Sequence, residues 1–339
     1  MDFENKEIIG FLSDPKIKAY VTNLNIRESL KSAEESRIIR DEGNVIFKKK
    51  KHSAEDHMNI LYLYNESIAC APKESKELML AYNNRSVFLL HLHKYKECID
   101  DIDKVLELTK LNIKRIKLYC RKVECLTALG SPANKDVFNQ VIQIFNEAKL
   151  SIDEQTCASE IIKRTKSILI ANKLFVPSNR KFLKEKEEFD NIIKKKESTG
   201  PFDSLEIKMT KDMGRGLYAT RDIEVGELVL VESVFVIPNV MYPFAYCYHC
   251  LRVAWNGIPC ETCKQCIFCS TLCQDSAKKE YHDIECSFTA YIVQHQQNFS
   301  ESIFFCLKII ILLFKKYKTV DKIQSELKKI DSQGNEICL

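Results

Sequence analysis

The sequence predicts an α+β protein in which a helical N-terminal half precedes a short strand-rich segment and a compact cysteine-rich module. Apolar residues recur with helical spacing from residue 34 to 150. Short β-prone runs separated by turn residues begin after Pro201. Eight cysteines and histidines in metal-ligand spacing lie between Cys247 and Cys286, and we expect helices after them.

Composition sets the broad class of the protein. A chain of 339 residues has room for about two or three domains. With 45% hydrophobic residues, nine glycines and eight prolines, we expect it to be largely folded and helical. The net charge of +4 does not indicate nucleic-acid binding, which needs a concentrated basic face. The longest apolar run, residues 303–314, is shorter than the roughly 20 residues of a membrane span, so we expect a buried helix and no membrane partner.

Residues 34–150 are predicted to contain three helical units, and residues 1–33 are predicted to form an N-terminal helical segment. The units resemble tetratricopeptide repeats, with Gly43, Ser86 and Val123 at the same close-packed position. Their spacings of 43 and 37 residues exceed the usual 34 or so, and we assign the excess to loops at residues 48–52 and 73–78.

Some tetratricopeptide domains carry a carboxylate clamp that binds the acidic C-terminal tails of cytosolic chaperones. The resemblance implies a peptide-binding site at the five corresponding positions, which are Arg40, Asn44, Asn84, Lys117 and Arg121. Residues four apart share one helix face, and charge-assisted hydrogen bonds are about twice as strong as neutral ones. The alternative is that these are ordinary solvated side chains.

Residues 151–200 are predicted to form a helical, charged linker. Lysine and glutamate are dense from residue 173 to 196, as in an exposed helix or linker. A nuclear-import signal at residues 194–196 is the weaker interpretation, and the sequence is compatible with both cytoplasm and nucleus.

The cysteine-rich module contains four ligand pairs, enough for two closed zinc sites. The pairs are Cys247 with Cys250, Cys260 with Cys263, Cys269 with Cys273, and His282 with Cys286. Spacing alone does not decide between neighbouring and interleaved pairs. We expect Cys266 to be a buried or spare thiol and His249 to lie beside a site or on the surface.

Disulfides are the alternative for this module. The chain shows no signal-peptide pattern, and its single cysteines are typical of a reducing compartment, which favours zinc. These cysteines are Cys70, Cys98, Cys120, Cys125, Cys157, Cys306 and Cys338.

The ligand spacing, Phe268 before Cys269 and the closing Tyr281-His282 resemble a MYND zinc finger over residues 247–286. In that family the sites interleave. The resemblance therefore implies two zinc sets, Cys247, Cys250, Cys269 and Cys273 in one and Cys260, Cys263, His282 and Cys286 in the other. Such zinc ions are structural, because no ligand position is left for a catalytic water.

Residues 201–240 are predicted to contain strands at 205–209, 217–220, 228–231 and 234–237. The string from Gly214 to Glu232 resembles the first part of a SET domain, the S-adenosylmethionine-dependent lysine methyltransferase fold. A SET segment interrupted by a MYND finger is similar to the SET and MYND domain-containing family. The resemblance implies cofactor contacts at Met213, Gly214 and Arg215, and the alternative for these residues is a simple hairpin turn.

The catalytic segments of related SET enzymes do not occur in the sequence. These are an Asn-His-Ser-Cys segment, a later tyrosine at the methyl-transfer centre and a third cysteine-rich zinc site. Residues 287–339 are expected to be a truncated helical insert whose apolar face is formed by Phe304, Leu307, Ile310, Ile311 and Phe314. We therefore expect no catalytic residue here and weak or absent cofactor binding.

Two functions follow from these patterns. The resemblance implies a protein-lysine N-methyltransferase that is catalytically incomplete in this chain. The alternative is a non-catalytic adaptor whose repeats and finger bind protein partners.

Overall fold

The computed structural model describes residues 31–171, 204–230, 244–286 and 301–334. The chain divides into two compact units, residues 1–175 with 239–304 and residues 176–238 with 305–339. The predicted segment at 1–33 lies outside the described residues except for its last three positions. The charged linker beyond residue 171 and the strand predicted at 234–237 also lie outside them.

The first unit contains seven helices within residues 31–171. They are α1 (Ala33–Phe47), α2 (Ala54–Cys70), α3 (Lys76–His91), α4 (Tyr95–Leu108), α5 (Asn112–Ala128), α6 (Asn134–Glu147) and α7 (Ile152–Ala171). Consecutive helices pack in pairs, α1 with α2, α3 with α4 and α5 with α6, and α7 packs on α5. The predicted helical half is confirmed, while the tetratricopeptide arrangement stays a prediction.

Local sequence sets where three of these helices begin. Ser32 and Ser75 each accept a hydrogen bond from a backbone N–H in the first turn of α1 and α3. Ser53 and Asp56 form a reciprocal capping box at the start of α2. These side chains satisfy N–H groups that a helix cannot pair internally.

The helices pack around several clusters of buried apolar residues. Gly43, Ser86 and Val123 lie in α1, α3 and α5, and all three are buried. A Cβ added to Gly43 would meet the Tyr64 ring at 2.8 Å. Only glycine therefore allows α1 to lie this close to α2.

The cysteine-rich module belongs to the same unit and packs on α2. It contains strands β3 (Ile258–Pro259) and β4 (Ile267–Phe268), helix α8 (Thr271–Ala277) and a π-helical turn (Lys278–His282). Ala69 of α2 packs in one buried cluster with Phe244, Ala254 and Ile267 of the module. A Cβ on Gly257 would meet Ile267 at 2.6 Å, so this packing also requires a glycine.

A buried arginine joins the module to three helices. Arg85 of α3 binds both carboxylate oxygens of Asp101 of α4 at 2.6 Å. Its Nη1 donates to Asn65 Oδ1 of α2 at 2.6 Å and to the Gly257 carbonyl at 2.9 Å. Asn65 Nδ2 in turn donates to the carbonyls of Phe244 and Ala254, at 2.6 and 2.8 Å.

The second unit contains a hairpin and most of the C-terminal helices. Strands β1 (Leu205–Thr210) and β2 (Gly214–Ala219) pair antiparallel, with Thr210 opposite Gly214. Helices α9 (Glu301–Tyr317) and α10 (Val320–Gly334) follow, so the helix predicted at 303–314 is confirmed. On its predicted apolar face, Ile311 is buried, whereas the side chains of Phe304 and Leu307 lie outside the described residues.

The third predicted strand was wrong over its described part. Residues 228–230 form no strand in the described chain, and residue 231 lies outside it. A β-prone run becomes a strand only when it pairs with a neighbour, and among the described residues β1 and β2 pair only with each other. Within the described residues, every helix is too short or too polar to span a bilayer.

We expect Arg85→Met to destabilise the first unit by about 3–5 kcal/mol, because it removes the two-pronged partner of the buried Asp101 carboxylate and leaves only the longer contact to Lys104, at 3.5 Å. The measurement is the free energy of urea unfolding. Arg37→Met is the matched control, since the Arg37 to Glu34 pair is exposed and its loss should change stability little. Equal stability of both variants would contradict a structural role for the buried pair.

Candidate metal centre in the cysteine-rich module

The first set of ligands brings together two distant parts of the module. Cys247 and Cys250 lie on the turn between the bridged residues Tyr246 and Val253. Cys269 follows β4, and Cys273 lies in the first turn of α8, where Ser270 caps its backbone N–H at 3.2 Å. The four sulfur atoms lie within 4.8 Å of one another, with Cys250 and Cys273 each 3.6 Å from Cys269.

The second set interleaves with the first along the chain. Cys260 follows β3, Cys263 lies in the loop before β4, and His282 and Cys286 follow α8. Their ligand atoms also lie within 4.8 Å of one another, and all four residues are buried. The Sγ atoms of Cys260 and Cys286 are 3.8 Å apart, and His282 Nε2 is 3.6 Å from Cys263 Sγ.

Both sets fit zinc in donor type and in spacing. A tetrahedron with Zn–S bonds of about 2.3 Å has S–S edges of about 3.8 Å. The sulfur separations of 3.6–3.8 Å agree with this edge. Each set offers four soft donors, the ligand number of a closed structural site.

Neighbouring side chains tune these ligands. The His282 Nδ1 atom lies 3.6 Å from the Glu285 carboxylate, whose other oxygen accepts from Tyr248 Oη at 2.7 Å. A carboxylate behind a metal-binding histidine orients the ring and raises its basicity. Sequence reasoning missed Glu285 and Tyr248, although the three-residue spacing of His282 and Glu285 was a usable signal.

In the first set, the guanidinium of Arg252 lies beside the Cys250 thiol. Burial alone would raise the pKa of the Cys250 thiol, but hydrogen bonds led by that from Arg252 lower it to about 7. Arg252 Nε donates to Cys250 Sγ at 3.4 Å. This favours the thiolate, which is the form that binds metal.

Cys266 and His249 lie beside the ligand sets. Cys266 is buried, as predicted, and its Sγ lies 3.4 Å from His282 Nε2 and 3.8 Å from Cys263 Sγ. His249 stacks on the ring of Tyr281, with His249 Nδ1 3.2 Å from the hydroxyl oxygen. Cys266 is therefore an immediate neighbour of the second set.

Comparisons with known proteins identify relatives over most of the chain. Human protein-lysine N-methyltransferase SMYD4 is 25% identical over 88% of this chain, and the chicken protein of that name is 24% identical over 89%. A SET and MYND domain-containing protein of Dictyostelium discoideum is 26% identical over 34% of the chain and 32% of its own length. Over most of its length the chain is therefore similar to proteins of the SET and MYND domain-containing family. No family model and no solved structure matches it.

The chain spans about two fifths of the length of its vertebrate relatives, 39% of the human and 42% of the chicken protein. The two ligand sets have the interleaved membership that the MYND resemblance implies.

The five predicted clamp residues make contacts within the protein to different degrees. Asn84 Nδ2 donates to Asn44 Oδ1 at 2.8 Å, which brings α1 and α3 together. Arg121 donates to Ser86 Oγ at 2.6 Å, and burial lowers the pKa of its guanidinium. Lys117 is exposed.

Arg40, the remaining clamp position, is buried and ion-paired with Glu77. Its charge is already balanced inside the protein. Peptide binding at the five positions stays a prediction.

The three predicted cofactor residues lie at the turn of the β1–β2 hairpin. Met213 is exposed, and its backbone N–H donates to Thr210 Oγ1 at 3.2 Å. Gly214 has a φ of +69°, a conformation that favours glycine. Arg215 pairs through its backbone with Met209. The hairpin is confirmed, and cofactor binding at it stays a prediction.

We expect Cys263→Ala to lower the zinc content of the purified chain and Cys266→Ala to leave it unchanged. Both thiols are buried in the same cluster, but Cys263 belongs to the second four-ligand set, whereas Cys266 is the neighbouring thiol outside it. Zinc per chain, measured by atomic emission, checks this. An equal loss in both variants would show that Cys266 is a ligand.

Proposed function

We propose that this chain is the partner-binding platform of a SET and MYND protein-lysine methyltransferase. In this proposal two zinc ions fold the finger, and the helices and finger together recruit the proteins on which the enzyme acts. The family relationship supports the methylation context. The buried contacts between the finger and the helices support the proposal that the two form one binding surface.

The zinc ions supply cross-links rather than catalysis. A structural zinc contributes about 10–16 kcal/mol to the folding of a small finger peptide. Strands of two residues, as in β3 and β4, are too short to be stable alone. Cys247 and Cys250 would tie the start of the module to α8, and Cys260 and Cys263 would tie its middle to His282 and Cys286.

Hydrogen bonds between the helices and the finger carry the proposal. Arg85 of α3 and Asn65 of α2 donate to backbone carbonyls of the finger. Further polar contacts connect the finger to the helices. Lys264 pairs with Glu35 at 2.6 Å, and Lys94 lies 4.6 Å from the centre of the Trp255 ring. A partner would therefore meet helices and finger as one preformed surface, which reduces the entropy cost of binding.

The acidic tail of a cytosolic chaperone is the partner that we propose for the helical domain. Lys117 is exposed, and Arg121 presents a guanidinium whose described partners are the neutral Ser86 and Asn83. A peptide carboxylate would add a charged acceptor there. At Arg40, by contrast, a peptide would have to compete with Glu77.

Methyl transfer is the second candidate function, and the relatives named as protein-lysine N-methyltransferases favour it. We propose that the hairpin turn at Met213, Gly214 and Arg215 contributes to an S-adenosylmethionine site. Aligning cofactor and amine is worth about 7–11 kcal/mol in such reactions. The residues expected to align them are not among the motifs of this sequence, so we propose that the chain alone transfers methyl groups slowly or not at all.

We expect a peptide ending in Glu-Glu-Val-Asp to bind to the chain. The double variant Lys117→Ala with Arg121→Ala should weaken this binding by at least about tenfold, since a hydrogen bond to a charged group is worth about 1.5–3 kcal/mol. Glu77→Gln should strengthen binding, because it releases Arg40. Calorimetric titration measures all three affinities.

Arg115→Ala with Lys122→Ala is the matched control, because it removes one arginine and one lysine from another face of α5. Unchanged binding in the Lys117 and Arg121 variant would exclude the clamp.

We expect titration of S-adenosylmethionine into the chain to give weak or no binding heat, and labelled methyl groups not to reach protein lysines. Tight stoichiometric binding that Gly214→Val abolishes would contradict this and favour an active cofactor site at the hairpin. Peptide binding would be unaffected by that outcome.

A further inference from the structure

Three histidines of the helical domain meet outside the cysteine-rich module. His52 lies in the loop between α1 and α2, His57 is in the first turn of α2, and His91 is the last residue of α3. Their ring centroids are 5.6–6.1 Å apart. One nitrogen from each ring lies within 4.8 Å of those from the other two.

Phe47 holds two of these rings in place. It stacks on His52 at 5.8 Å and contacts His91 edge-on at 5.7 Å. The Phe47 carbonyl lies 3.2 Å from His52 Nε2. Because a carbonyl can only accept, Nε2 carries the proton and Nδ1 of His52 keeps its lone pair. Hydrogen bonding of one ring nitrogen to a carbonyl is typical of metal-binding histidines.

His57 gives an independent indication. Its Nε2 is buried and has no hydrogen-bond partner among the described residues. Aromatic packing against Phe88 accounts for the position of the ring but does not satisfy this nitrogen. Burial and the neighbouring imidazoles of His52 and His91 lower the pKa of His57.

The electrostatic setting includes favourable and unfavourable groups for a cation. His91 ends α3, where the helix dipole favours positive charge. The basic run at residues 48–51 precedes His52, but Lys49 in that run is paired with Asp56 at 2.8 Å. This pairing offsets part of the repulsion.

From this geometry we infer that His52, His57 and His91 form a third metal site, which binds a divalent transition ion such as Zn²⁺. Imidazole nitrogen suits Zn²⁺, Ni²⁺ and Cu²⁺, whereas Mg²⁺ and Ca²⁺ prefer oxygen. Three protein ligands leave a coordination position for water or another ligand. The site differs from the finger sets in having no thiolate.

Equilibrium dialysis of the full chain against Zn²⁺ at neutral pH tests the inference, with bound zinc per chain measured by atomic emission. At a zinc concentration near the dissociation constant the intact site is half-filled, and we expect His91→Gln and His57→Gln to bind about 0.4 zinc per chain less than the unchanged chain. Loss of one ligand should weaken this site by at least about tenfold, since loss of an outer-sphere partner alone costs about 10–100-fold.

His93→Gln is the matched control. His93 is also exposed, lies two residues from His91 and contacts the Tyr95 hydroxyl at 2.9 Å rather than the cluster. This variant should bind as much zinc as the unchanged chain. Because His91 is exposed, His91→Gln should fold even if His57→Gln does not. Equal zinc binding by His91→Gln and the unchanged chain would overturn the inference.

Discussion

The fully buried guanidinium of Arg85 constrains the rest of the first unit. A buried cation must be neutralised and its donors satisfied, and here Asp101, Asn65 and the Gly257 carbonyl do so. These partners come from α4, α2 and the finger. The charge is therefore satisfied only when three helices and the finger adopt one arrangement. Replacing a whole buried pair by apolar residues is often neutral for stability, whereas removing one partner alone is strongly destabilising.

The finger needs the helices to bury its apolar residues. Its two ligand sets also need each other, because they interleave along the chain. Its strands are two residues long, and its apolar residues Phe244, Ala254 and Ile267 pack in one buried cluster with Ala69 of α2. Interleaved ligand sets mean that neither metal site can close before most of the module has folded. Finger and helices thus form one platform, and this physical unity underlies the proposed role in recruiting protein partners.

Local features of the fold could be predicted from sequence. Helices follow from apolar periodicity and serine caps, and the β1–β2 hairpin follows from its turn glycine. The strand expected at 228–230 did not form, because propensity does not supply a pairing partner. The engagement of Arg40 with Glu77 was also beyond prediction, since the two residues are 37 positions apart and meet only through the packing of α1 near α3.

The sequence by itself determined the number and type of the candidate metal ligands, because spacing of two or three residues is a local constraint on which side chains can share an ion. Spacing left open which pairs share a site, and only the resemblance to MYND fingers implied interleaved sets. The tertiary structure brings Cys269 and Cys273 to Cys247 and Cys250, which spacing could not decide. The tertiary structure also decided how the finger packs on the helices through Arg85. It likewise brought His52, His57 and His91 together. Each depends on contacts between elements distant in sequence, and no local pattern encodes such contacts.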